Sequence, residues 1–213
     1  MDAHKIVADD MRGSINKALR LRILSNLKTG GDFYKNTACI SSKYTMFIDQ
    51  DDYLQNYHHK YEQGEYLAAF QDGAFLQVNY EFEHTGKRHA YLKKMNLCYL
   101  PAVESDYIKN EYIRIDYDAT VKSSFFHPVA HVHIGFTNSI RLPIDEVFLF
   151  SEFLQWILYL YYPEEFETYN GGALKTSNTF DKEPYGKITK EKVLSTELAA
   201  YYYLKTLQSA KGL

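Results

Sequence analysis

The chain has 213 residues, with 24 Lys and Arg against 27 Asp and Glu, a formal charge of −3 that excludes a general polyanion binder held by net charge. Twenty Tyr, thirteen Phe and one Trp make it 16% aromatic, a composition foreign to disordered segments and expected of a folded core. A chain of this length buries roughly 70% of its unfolded surface, enough for one domain over residues 1–213.

Cys39 and Cys98 stand far apart with no C-x-x-C spacing, which argues against a disulfide framework and a cysteine-rich zinc module. Each reads as a small buried hydrophobe. The opening MDAHKIVADDMRGS lacks the basic end and apolar stretch of a signal peptide, so the cytoplasm is the expected compartment. The most apolar run, residues 147–162, is interrupted by Ser151, Glu152 and Gln155 and falls short of the ~20 residues of a membrane span. Both ends of the chain are basic and its middle is acidic. Ends lying together would offer a modest basic patch to phosphates; apart, they are solvated helix surface.

In chain order, residues 1–30 hold an amphipathic helix over 3–28, because Ile15, Leu19, Ile23 and Leu27 recur every four residues and Gly30-Gly31 supplies a stop. Residues 33–65 are ambiguous until a short helix over 51–65 that carries His58 and His59 to solvent. Asp72-Gly73 is a turn, after which Leu76, Val78, Tyr80 and Phe82 alternate with polar residues as a half-buried strand does. A hairpin loop over 84–87, flanked by exposed His84 and His89, leads to a strand over 88–100. Residues 112–118 alternate again, with Ile113, Ile115 and Tyr117 on one face and Tyr112, Arg114, Asp116 and Asp118 on the other. Residues 129–136 form the next strand, with Val132, Ile134 and Phe136 opposed to His131 and His133. Short links make these strands an antiparallel meander. Asp145 then caps a helix over 146–161 that is apolar nearly all round and is stopped by Pro163. A long polar loop over 167–187 and a C-terminal helix within 188–213, capped by Thr189, complete the chain. The expected architecture is α+β: four to five strands packed against a central apolar helix, with N- and C-terminal helices.

The densest functional cluster reads YIRIDYDA, HPVAHVHIG and IRLP between residues 112 and 143. If the faces and strands adjoin, Arg114, Asp116, His127, His131, His133 and Arg141 converge, with Gly135 leaving room for a substrate or another backbone. Three roles accommodate such a set. Two imidazoles serve as acid and base on a phosphodiester, with Arg114 or Arg141 on the phosphate and RNA supplying its own 2′-OH nucleophile. Alternatively, His131 and His133 bind a divalent transition metal with His127 or Asp116, and the ion activates water. In the third, the network only fixes strand register and loop geometry. Tyr112 shares the face of Arg114 and Asp116, and with residues 201–203 it is the place for an aromatic to stack on a base or anchor a partner. Dinucleotide, P-loop, nucleophile-elbow and H-E-x-x-H motifs are absent, and Gly135 stands where an H-x-H-x-D-H string needs Asp.

The strings Y-I-R-I-D-Y-D, H-P-x-x-H-x-H-x-G and R-x-P, preceded by D-G-x-x-L-Q-x-x-Y-x-F from residue 72, resemble an uncharacterised family of short bacterial cytoplasmic proteins over residues 65–165. The order strand, R-x-D, strand, H-x-H, helix is also similar to small toxins of the TumE kind from toxin–antitoxin pairs. These resemblances imply a toxin or phage-defence setting. The expectation is therefore a nucleic-acid-directed component, ribonuclease-like, acting on RNA or nucleotide phosphate with no membrane association. The alternatives are a non-enzymatic interaction or antitoxin-like subunit that docks a protein partner, and a metal-dependent hydrolase.

Overall fold

The computed structural model describes residues 2–28, 33–42, 50–84, 90–104, 112–120, 128–136, 141–144 and 147–170. In chain order these form α1 (Ala3–Arg20), β1 (Leu24–Leu27), β2 (Cys39–Ser41), α2 (Gln50–Glu62), β3 (Ala68–Phe70), β4 (Phe75–His84), β5 (Ala90–Leu100), β6 (Ile113–Asp118), β7 (Ala130–Ile134), β8 (Leu142–Pro143), α3 (Phe150–Tyr161) and α4 (Pro163–Asn170). The fold is α+β. Eight strands make one antiparallel sheet in the order β1-β3-β4-β5-β6-β7-β8, with β2 pairing the far end of β4. From β4 to β8 the chain is the expected meander. The additional strands β1, β2 and β3 come from segments with too few residues to display a period. Among the described residues, no helix is long and apolar enough to cross a membrane.

α1 ends eight residues before the expected boundary of 28. Arg22 takes the left-handed conformation at φ 58°, and the Arg22 and Ile23 amides turn back to the Leu19 and Ala18 carbonyls at 3.0 and 2.9 Å. This is a helix stop normally given to glycine, which is why the four-residue spacing of Ile23 and Leu27 misleads. Leu24 and Leu27 belong to β1 instead. His4, three residues from the start of the chain, is buried with its ring edge-on to Phe82 at 5.2 Å.

The central helix begins at Phe150, and residues 147–149 are not helical; the expected cap, Asp145, lies outside the described residues. Glu152 Oε2 accepts from the Leu149 amide at 3.0 Å. Asp10 of α1 supplies the missing cap, its Oδ2 accepting from the Ser151 amide at 2.9 Å. The helix ends at Tyr161, as expected, with Tyr162 forced out of the helical region before Pro163 at φ −135° and ψ 64°. Pro163 opens α4, a position where its missing N–H is no loss. Residues 167–170 therefore belong to a helix, and the rest of the expected loop and the C-terminal helix lie outside the described residues.

Pleating splits the sheet into two faces. Under α1 and α3, Leu76, Val78, Tyr80, Met95, Leu97, Ile113, Ile115, Tyr117 and Val132 join Val7, Met11, Phe150, Phe153 and Ile157 in one buried core. On the reverse face, Tyr53 and Tyr57 of α2 pack on Phe75, Leu100 and Tyr112 at one end of the strands only. Tyr53 Oη donates to the Pro101 carbonyl, and its ring stacks on Phe136 at 4.9 Å.

Candidate functional site

Strand register brings the cluster together on the reverse face. Asn96 of β5 faces Asp116 of β6, which faces His131 of β7; one step along, Cys98 faces Arg114, which faces His133. Opposed residues of an antiparallel pair share a face, so these side chains form two adjacent rows. Val132 pairs with Leu142, and continuing that register by one residue sets Arg141 opposite His133.

Asp116 is the hub. Its Oδ2 accepts from Arg114 Nε at 2.8 Å and its Oδ1 from Asn96 Nδ2 at 2.8 Å. His133 Nε2 and His131 Nε2 come within 3.4 and 3.6 Å of the same Oδ2. The two imidazole centroids are 4.9 Å apart. Burial pushes the Asp116 carboxyl up, but the His133 ring, the Arg114 charge, the Asn96 hydrogen bond and His131 together outweigh it and hold the group below the usual carboxylate range. His131 Nδ1 lies 3.0 Å from the Pro128 carbonyl, which can only accept, so Nδ1 carries the proton of that bond. The other ring nitrogen, Nε2, then faces Asp116 Oδ2.

A pocket of about 150 Å³ opens beside this hub, lined by Lys94, Asn96, Asp116, Asp118, Pro128 and His131. Within this lining Lys94 Nζ pairs with Asp118 Oδ2 at 2.9 Å. His131 and Asp116 thus reach a space that water and a small polar group can enter. His133 does not. It is 0% exposed, and Arg114 is 3% exposed, so both act on the site from behind.

Of the six expected residues, the structure gathers Arg114, Asp116, His131 and His133. Arg141 shares their face by register, but among the described residues it makes no hydrogen bond or ion pair with the four. His127 lies outside the described residues. Tyr112 is 1% exposed, which removes the expected stacking platform; its hydroxyl sits against Cys98 and Arg114, and burial drives its pKa strongly upward. Gly135 takes the left-handed conformation at φ 71°, its amide donating to the Tyr112 carbonyl at 2.7 Å. Burial also lifts the Cys98 thiol to about 12, as expected of an inert buried cysteine. His58 and His59 are exposed on α2, and His84 is exposed with Nε2 at 2.8 Å from the Thr37 carbonyl. Asn96 and Lys94 are members of the site that the sequence reading passed over. Alternation along β5 places them on the face of Cys98, so the signal was there.

Residues 102–200 match the family model of an uncharacterized conserved protein, DUF2290. The matched segment takes in β6, β7, β8, α3 and α4 and so contains Arg114, Asp116, His131, His133 and Arg141, while Asn96 and Lys94 precede it. No curated protein and no solved structure matches the chain.

Proposed function

We propose that this protein hydrolyses phosphodiesters, with RNA as the substrate class, in the pocket floored by Asp116 and His131. The observation that carries the reading is the meeting of His131 Nε2, the Asp116 carboxylate and the Lys94 and Asn96 side chains around one small polar space. A phosphate oxygen finds donors in Lys94 and Asn96, and water or a ribose hydroxyl is activated at Nε2. His133 has no exposed surface to offer a substrate, which favours one imidazole at the reacting atoms over a shuttle between two. The setting we propose is that of a cytoplasmic toxin or phage-defence component, in keeping with the likeness to TumE-type toxins. Net charge of −3 predicts weak, local binding of RNA over broad electrostatic capture.

The test is cleavage of labelled RNA by the full chain and by His131→Ala, with growth of cells expressing each. The expected result is cleavage by the wild type that drops roughly 10²–10⁴-fold in the variant, with relief of any growth defect. Equal cleavage by both, or none by either, would sink the proposal. Burial of Arg114 and His133 supports a second reading, a network that only fixes the sheet under a docked protein partner. Under it, His131→Ala lowers the melting temperature and changes no chemistry.

A further inference from the structure

We propose that Asp116 Oδ2, His131 Nε2 and His133 Nε2 bind one divalent transition-metal ion, and that the completed centre takes an anionic oxygen of the phosphate class from the adjoining pocket as its outer ligand. The metal site stands on its own geometry, and in the loaded protein the ion replaces His131 Nε2 as the group that activates water; the phosphate ligand rests on the hydrolytic reading above.

One ligand atom from each of these three residues lies within 4.8 Å of the others. Two of the edges, at 3.4 and 3.6 Å, run from Asp116 Oδ2 to the two Nε2 atoms. Bonds of about 2.0–2.1 Å in a tetrahedral centre set ligand atoms about 3.3–3.4 Å apart, so both edges fit an ion with little movement. Closing the third takes a tilt of one ring. Two imidazoles and a carboxylate are the donor set of zinc, iron, cobalt, nickel and manganese centres that keep an open position.

The surrounding bonds are those a metal site needs. A ligating histidine usually donates its other ring N–H to a carbonyl or carboxylate, which fixes the tautomer. His131 does so through Nδ1 to Pro128. Ligating carboxylates are likewise held by hydrogen bonds, here from Asn96 to Oδ1 and Arg114 to Oδ2. A carboxylate oxygen has two lone pairs, so Oδ2 can accept from Arg114 and still face an ion. β6 and β7 fix all three ligands on one sheet face, positions more rigid than a loop gives.

Charge then selects the outer ligand. Arg114 already balances Asp116 and Asp118 balances Lys94, so a dication leaves the centre positive by two, with Arg141 in register. Buried positive charge needs a compensating anion. A phosphate oxygen, doubly served by the ion and by Lys94, is the group the 150 Å³ pocket has room to admit.

The test uses the full chain, purified without a His tag and stripped with a chelator. Co²⁺ is titrated by visible absorption and Zn²⁺ by calorimetry, each with and without inorganic phosphate. The expected result is one ion per chain, a Co²⁺ spectrum that shifts on phosphate addition, and a melting temperature that rises with Zn²⁺. Asn96→Ala, which spares every ligand, should weaken binding 10–100-fold, and a His58→Ala/His59→Ala variant should not change it. Substoichiometric or nonsaturating binding by the folded wild type overturns the metal site, as does binding lost only with His58 and His59. One ion with no response to phosphate overturns the outer ligand alone. One ion without any RNA cleavage supports the site and sinks the hydrolytic reading.

Discussion

The same strands build both faces of the sheet. Under α1 and α3, every row is apolar from end to end, and a single core runs from Val7 to Ile157. On the reverse face the rows change along the strands: Phe75 with Leu100, then Cys98, Arg114 and His133, then Asn96, Asp116 and His131, then Glu81, Lys94 and Asp118. α2 covers the apolar end and leaves the charged end to the pocket. The difference teaches where a site can be placed. A face sealed by helices carries the stability, and that frees the other to hold buried charge that an apolar core would reject.

Breaking the sealed face should have the largest effect and a purely structural one. Phe153 is fully buried among α1, α3 and the sheet, so Phe153→Ala should cost about 3–5 kcal/mol of unfolding free energy, read from denaturant melts. RNA cleavage by the fraction still folded should be unchanged. Loss of chemistry without loss of stability would mean that the two faces are not separable in this way.

A smaller break is available in the same face. Asp10 is a carboxylate inside the helix layer, kept there because it caps α3 through the Ser151 amide. Asp10→Ala should cost about 1–2 kcal/mol, the usual cost of a lost cap, and fray the start of α3 in hydrogen exchange. Equal protection of the Ser151 amide in both proteins would show that Glu152 alone closes the helix.

The sealed face was the more legible of the two. Alternation at Leu76–Phe82 and Ile113–Tyr117 predicts both the strands and their buried side, since a period of two has one reading when one side is apolar. The helix boundaries were not legible, because they depend on tertiary choices: Arg22 adopting a glycine conformation, and Asp10 capping a helix 141 residues away. For the site, alternation and the H-x-H pair located Asp116, His131 and His133 on the right faces. It could not say that β5, β6 and β7 pair in a register that sets Asn96, Asp116 and His131 in one row. Nor could it show that α2 buries Tyr112, since packing of a tyrosine-rich helix on one end of a face leaves no periodic mark.

The smallest expected effect separates the faces by sign. Burial raises the Asp10 carboxyl above its ordinary value of 3.8, against hydrogen bonds from Ser151 and Phe150. A raised folded value means that Asp10 contributes fully below the unfolded value, and the contribution is lost as pH rises through the folded one. Asp116 is opposite. Its folded value lies below 3.8, because its donors outweigh burial. Its contribution is whole above the unfolded value and is lost as pH falls through the folded one. Melting temperatures followed from pH 3 upward in metal-free buffer should therefore respond in opposite directions. Asp10→Asn should flatten a decline on the way up from about pH 4, and Asp116→Asn should flatten the loss on the way down from about pH 4. Parallel shifts in the two variants would show that the carboxylates sit in equivalent surroundings, and that the polarity of the reverse face does not reach the charge at its centre.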